Sequence, residues 1–177
     1  MELVNALALI RLAMQPSQIG EYGNRGRLRK VSVSAGALHP VEVLVLAGPS
    51  VSEPILYCDA DDVFCTVPLI APDAALVELE ALTNLVPQAN GHCLLFIANK
   101  RHVDQAYEGA ASLLWRDAGA VLQTLSLLAA ASGNVFVPLG ITGSKILKTI
   151  STPHAEYIAV GTALIGKAPV QTGVVAI

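Results

Sequence analysis

Apolar residues recur at spacings of three and four through residues 111–131, at Leu113, Leu114, Ala118, Val121, Leu122, Leu125, Leu128 and Ala129. That is a helical period, and because the apolar positions fill more than one face it predicts a helix buried nearly all round. Its polar residues are few (Gln123, Thr124, Ser126), so a partner chain or another layer is expected to cover the side that a surface helix gives to water. Gly133 and Asn134 supply a helix stop, the apolar run 135–137 follows, and Gly140 and Gly143 bracket a short loop. Such a loop either simply turns the chain or brings backbone N–H groups close to a flat ligand.

Elsewhere the pattern alternates between helical and extended stretches. Residues 2–14 read as an amphipathic helix with Arg11 on its open side, ended by Gln15 and Pro16. Residues 17–30 are polar and gather Arg25, Arg27, Arg29 and Lys30, which suits a solvated loop or an anion clamp. The small residues Ser34, Ala35, Gly36 and Ala37 then let the backbone approach something planar. Residues 41–47 and 55–58 are strand-like and could form a hairpin. Asp59, Asp61 and Asp62 lack the glycine and closing glutamate of a calcium loop and read as a solvent-side turn. Residues 73–86 form an amphipathic helix with Asp73 as N-terminal cap and Pro87 as stop. Residues 93–98 are continuously apolar, as in the middle of a sheet, and 99–102 lead out toward the long helix. A short helical turn is expected at 144–150, a last strong strand at 156–165, a turn at 166–169 and an apolar tail at 173–177.

Composition sharpens the need for a cover. The chain has 177 residues, one domain by size, yet it is 53% hydrophobic and only 14% charged. Monomers of this size carry about 25% charged residues, so burial against a partner is expected. No apolar run reaches the roughly 20 residues of a membrane span, and Glu2 and Asn5 stand where a signal peptide would be basic. A cytoplasmic, oligomeric protein is the reading. The net charge of −3, without a basic stripe, argues against nucleic acid. Cys58, Cys65 and Cys93 have no zinc spacing and read as reduced core residues, and the four histidines form no metal motif. No nucleophilic triad can be read.

Four motifs carry a resemblance: R-x-x-S-x-S-A-G-A-L-H-P from Arg29, W-R-D-A-G-A-V-L-Q-T from Trp115, P-L-G-I-T-G from Pro138 and I-G-K-A-P from Ile165. Together they resemble the nitroreductase-like flavoproteins, nearest to the branch that oxidises azoline rings in thiazole/oxazole-modified peptides. The resemblance implies an α+β fold, with a mixed, mainly antiparallel sheet flanked by helices around the central helix. It also implies an intertwined homodimer with FMN at the subunit interface. Ser34, Ala35 and Gly36 would pass beside the flavin, Leu139, Gly140 and Ile141 would meet its ring, and Lys167 with Arg27 or Arg29 would hold its phosphate. Gln123 would find a partner at the flavin edge or on the second chain. Hydride would pass between NAD(P)H or a small organic substrate and flavin N5, with Tyr107 as a candidate proton donor or acceptor.

Two departures keep a second reading open. The family's N-terminal arginine-rich element has no match before Arg11, and Ala106 stands where the azoline-oxidising branch has a lysine before its tyrosine. A non-catalytic relative, serving as scaffold or partner subunit, would tolerate both.

Overall fold

The computed structural model describes residues 1–19, 28–48, 52–86, 90–152 and 157–167. Helix α1 (Leu3–Met14) leads to two short paired strands, β1 (Gln18–Ile19) and β2 (Leu28–Arg29), within the segment expected to be a plain loop. Then come β3 (Val41–Ala47), β4 (Ile55–Cys58), β5 (Val63–Thr66), α2 (Pro72–Thr83) and β6 (Asn90–Asn99). They are followed by α3 (Lys100–Asp104), α4 (Ala111–Ala131), β7 (Val135–Leu139), α5 (Ser144–Leu147) and β8 (Tyr157–Lys167). Strand β5 had no counterpart in the sequence reading, and β8 runs straight through the turn expected at Gly166 and Lys167.

Six strands form one sheet in the order β5-β4-β3-β6-β8-β7. Among the described residues every pairing is antiparallel, so the sheet is not the mixed one expected. The hairpin expected across 41–58 is present, with Leu44 opposite Leu56 and Val45 opposite Ile55.

Strand β6 is the middle of the molecule, as its unbroken apolar run implies. Leu94, Phe96 and Ala98 point to one face, where they pack with α1 and α4; Cys93, Leu95 and Ile97 point to the other, among residues of α2 and α5. A strand buried on both faces has no polar side to give to water. Neighbouring β8 keeps its apolar residues inside only by slipping register. Phe96 pairs with Gly161 and Ile97 with Ala159, so the strand carries one extra residue there. Val160 and Ala163, three apart, therefore reach the same face.

The long helix corrects its own forecast. In one chain α4 buries a single stripe, Leu114, Asp117, Ala118, Val121, Leu125 and Ala129. Trp115 (49% exposed), Gly119, Gln123 and Leu127 (62% exposed) follow one another at four-residue steps on the outer side. The cap on α2 also differs: Ala71 takes the N-cap position, Pro72 opens the helix, and Asp73 stands in the first turn. That order suits proline, whose missing N–H is not needed there. The helix ends at Thr83, and Pro87 lies outside the described residues. Among the described residues no helix is long and apolar enough to cross a membrane.

The acidic turn between β4 and β5 is not merely solvated. Asp62 accepts from Arg11 Nε at 2.6 Å and from the Tyr57 hydroxyl at 2.8 Å, clasping α1 to the hairpin. The Arg11 guanidinium, then the Tyr57 hydroxyl, hold the Asp62 carboxyl down at about 2. A carboxyl lowered on folding contributes stability above its unfolded value, and that contribution is lost as pH falls through the folded value. Replacing Arg11 with methionine should move the Asp62 midpoint from about 2 toward the ordinary carboxylate range, read by carboxyl NMR titration. In the core, Phe96→Ala should cost about 3–5 kcal/mol, seen as a lower urea midpoint at unchanged slope.

Candidate functional site

The segment 31–40 precedes β3 and lies at the sheet end where Val41 pairs with Ala98. Its centre is a 3-10 turn, Ala35–Ala37, and three positive-φ residues on either side of right-handed Leu38 make its shape. Gly36 (φ 58), Ala37 (φ 55) and His39 (φ 46) all adopt positive φ. For alanine and histidine that region is costly, so something must hold the turn in place.

Asp117 does so. It is the one acid in α4, sits on the same inward stripe as Leu114 and Val121, and is 7% exposed. Its Oδ2 accepts from Ser34 Oγ at 2.5 Å and its Oδ1 from the Ala35 N–H at 3.3 Å. Ser34 Oγ in turn accepts from the His39 N–H at 2.8 Å. One buried carboxylate thus ties the small-residue turn to the central helix and satisfies itself by doing so. The sequence reading quoted Asp117 within a motif without giving it a task; its signal was a lone acid on an apolar stripe.

The basic segment divides. Lys30 is no part of a solvated loop or an anion clamp: its side chain is 1% exposed and paired with Asp59 at the β4–β5 turn. A buried ammonium needs such a partner, and the pair pins the entry to the turn. Arg29 is exposed, and its carbonyl accepts from the Ser17 N–H at 2.7 Å. Arg27 lies outside the described residues.

On the other side of the sheet, Leu139 ends β7 opposite Thr162, and Gly140 and Ile141 follow, exposed. The Thr162 hydroxyl donates to the Ile141 carbonyl at 2.5 Å, and a Cβ on Gly140 would meet nothing within 4 Å. Gly143 (φ +85) is different, because a Cβ there would come within 2.4 Å of Leu95. The loop is therefore pressed against the sheet at Gly143 and open at Gly140.

These segments do not converge within one chain. β3 and β7 lie three strand spacings apart, about 14 Å. Lys167, exposed, ends β8 five residues beyond the position opposite Leu139, about 17 Å along the strand and toward the sheet end away from residues 34–36. Tyr107, 37% exposed in the connection between α3 and α4, lies at the same sheet end as residues 34–36. Gln123, expected to be buried and in need of a partner, is exposed on the outer stripe of α4, because the helix buries only one side in a single chain.

The opposite face of the sheet holds polar chemistry that sequence spacing did not reveal. A cavity of about 240 Å³ has Leu44, Leu56, Val67 and Ile97 in its walls, together with Glu42, Cys58 and Tyr157. The Tyr157 hydroxyl donates to Glu42 Oε1 at 2.6 Å, and burial, then Glu42, pushes the phenol well above its ordinary range. None of the residues named for the flavin lines this cavity. Among the described residues no cluster could hold a metal ion.

No family model and no curated protein matches the sequence. Solved structures do match its backbone. A protein described as a nitroreductase from Ralstonia eutropha superposes with a TM-score of 0.70 at 15% identity, over 96% of this chain and 74% of that one. A second so described, from Anabaena variabilis, gives 0.71 at 18% identity, over 92% of this chain and 34% of that one. The chain has the nitroreductase fold. The E. coli microcin synthetase McbBCD complex with truncated pro-MccB17 bound matches as well, at a TM-score of 0.70 and 16% identity, over 94% of this chain. The nitroreductase fold here spans 64% of that McbBCD chain and about a third of the Anabaena protein.

Within this nitroreductase fold the Asp117 clasp has a measurable weight. Asp117→Ala leaves Ser34 Oγ and the Ala35 N–H without their acceptor, which should cost about 1–3 kcal/mol in denaturant unfolding. Hydrogen exchange at the Ala35 and His39 amides should quicken selectively, while exchange in β6 should quicken only as far as global stability falls.

Proposed function

We propose that the chain is an FMN-dependent oxidoreductase of nitroreductase type, acting as a pair of identical copies. The observation that carries the reading is the turn at residues 34–37, held in positive-φ backbone by buried Asp117 inside a nitroreductase fold. Backbone strain kept by a dedicated side chain suits a surface shaped for a ligand. The donor set fits FMN in kind: exposed cations at Arg29 and Lys167, an open glycine at Gly140, and exposed apolar Val33 (78%) and Ile141 (43%) beside the two loops. Residues 34–36 and the Gly140 loop lie on different sides of one subunit, so a flavin touching both would draw them from two chains. The uncovered stripe of Trp115, Gly119, Gln123 and Leu127 gives α4 a face on which a second copy can pack.

In this reading Leu139, Gly140 and Ile141 would hold the ring through backbone N–H groups. Ser34, Ala35 and Gly36 of the other copy would pass beside it. Lys167, with Arg27 or Arg29, would hold the phosphate, and Gln123 would find its partner at the flavin edge or on the second chain. FMN, if bound, would supply hydride-transfer chemistry toward NADH, NADPH or a small organic substrate. The protein's part is placement, and Tyr107 holds or moves a proton at its phenolic oxygen.

The McbBCD match favours a second reading. That structure is a synthetase complex holding a truncated precursor, and this chain would be a flavin-free subunit of a comparable peptide-modifying assembly.

Purified protein should be yellow, bleach with NADH or NADPH, and bind added FMN saturably. Lys167→Ala should weaken FMN about tenfold or more, the loss of one charge-assisted hydrogen bond worth roughly 1.5–3 kcal/mol. Colourless protein that titrates without saturation removes the oxidoreductase and leaves the subunit.

A further inference from the structure

Two of the three cysteines share one spot at the rim of the sheet, on the face away from the turn at residues 34–37. In the β4–β5 hairpin Cys58 pairs with Val63 and Cys65 with Leu56, so the two cysteines are diagonal neighbours on one face. That face carries Leu56 into the α2/α5 core. The register sets the two side chains next to each other across the β4–β5 pair. Cys58 is half-buried and lines the 240 Å³ cavity with Glu42 and Tyr157, whereas Cys65 is exposed and is no core residue. Cys93 is buried in β6.

We propose that Cys58 and Cys65 are a reversible dithiol–disulfide site, oxidised by small disulfides such as glutathione disulfide, whose closure moves one wall of the cavity. Diagonal positions sit somewhat farther apart than a disulfide's Cβ atoms, so the bridge requires one strand to shift. β5 is able to shift. It is the edge strand, with β4 as its single neighbour, and three of its four residues (Val63, Cys65 and Thr66) are exposed. The shift would be felt at Cys58, and through it by the cavity.

The chemistry balances in two exchanges. Exposed Cys65 loses its proton and its Sγ attacks the small disulfide, forming a mixed disulfide and releasing one glutathione as thiol. Cys58 then loses its proton, and its Sγ attacks Cys65 Sγ and expels the second glutathione. The two protein thiols give up two electrons and two protons, and the small disulfide is reduced to two thiols. Burial, and then Cys65, push the Cys58 thiol up to about 11, so the first attack falls to the exposed cysteine, Cys65. The site needs no flavin, so it stands or falls apart from the oxidoreductase reading.

Asp59, Asp61 and Asp62 stand between the two cysteines, and an Asp-specific protease therefore separates them. The full chain would be incubated with glutathione disulfide, denatured, blocked with N-ethylmaleimide, cleaved at aspartate and analysed by mass spectrometry without reduction. The expected result is one disulfide-joined pair of peptides carrying Cys58 and Cys65, with Cys93 alkylated, and full reversal by excess reduced glutathione. Cys58→Ser should trap glutathione on Cys65, and Cys65→Ser should leave Cys58 alkylated. A stable glutathione adduct on Cys65 in the unsubstituted protein, a Cys65 bridge between two copies, or both thiols still alkylated would each overturn the proposal.

Discussion

Burial of β6 on both faces is the constraint from which the rest of the structure follows. Residues 92–98 are all inside, so two layers of helix must cover them and two strands must take their backbone hydrogen bonds. β3 and β8 fill the second role. α1 with α4, and α2 with α5, fill the first. The register slip at Gly161 is a consequence: β8 has to present apolar residues to two cores already fixed by β6, and one extra residue reconciles its sequence with both. The loops that frame the proposed site hang from these strands, so their separation on the sheet is set by strand order rather than by their own residues.

Charge is used sparingly, and two ion pairs meet at one turn. Lys30 with Asp59 and Arg11 with Asp62 both end on the turn between β4 and β5, which makes that turn the fastening point for the entry segment and for α1. The buried Asp117 performs a similar task for the turn at residues 34–37, through uncharged donors. A chain with few charged residues on its surface still needs these internal ties, because buried or half-buried charges without partners would destabilise it. The same economy leaves the outer stripe of α4, Trp115, Gly119, Gln123 and Leu127, without a charged residue.

Particular elements show how much could be read in advance. Helix α1, strands β3, β4, β6 and β8, and the helices at 72–83 and 111–131 follow from apolar period and from glycine and proline punctuation, because each is defined by neighbours within a few positions. β5 escaped because Val63, Phe64, Cys65 and Thr66 alternate only weakly on an exposed edge. Lys30 was placed on the wrong side. A lysine among arginines looks solvated until an aspartate elsewhere in the chain proves to face it. The four motifs behind the nitroreductase resemblance were legible, while the contacts that shape them, Asp117 with Ser34 and Thr162 with Ile141, were not.

The sequence by itself determined the kinds of element, the central buried strand, the shortage of surface charge and the small-residue and glycine-bracketed loops. All of these are local, since periodicity and backbone preference act over a turn or a strand. Tertiary structure alone decided the all-antiparallel strand order, the partners of Lys30, Asp62 and Asp117, and the spread of the proposed flavin residues over opposite ends of the sheet. Those depend on residues brought together from far apart in the chain, where a side chain's environment is set by whichever strand or helix comes to lie against it.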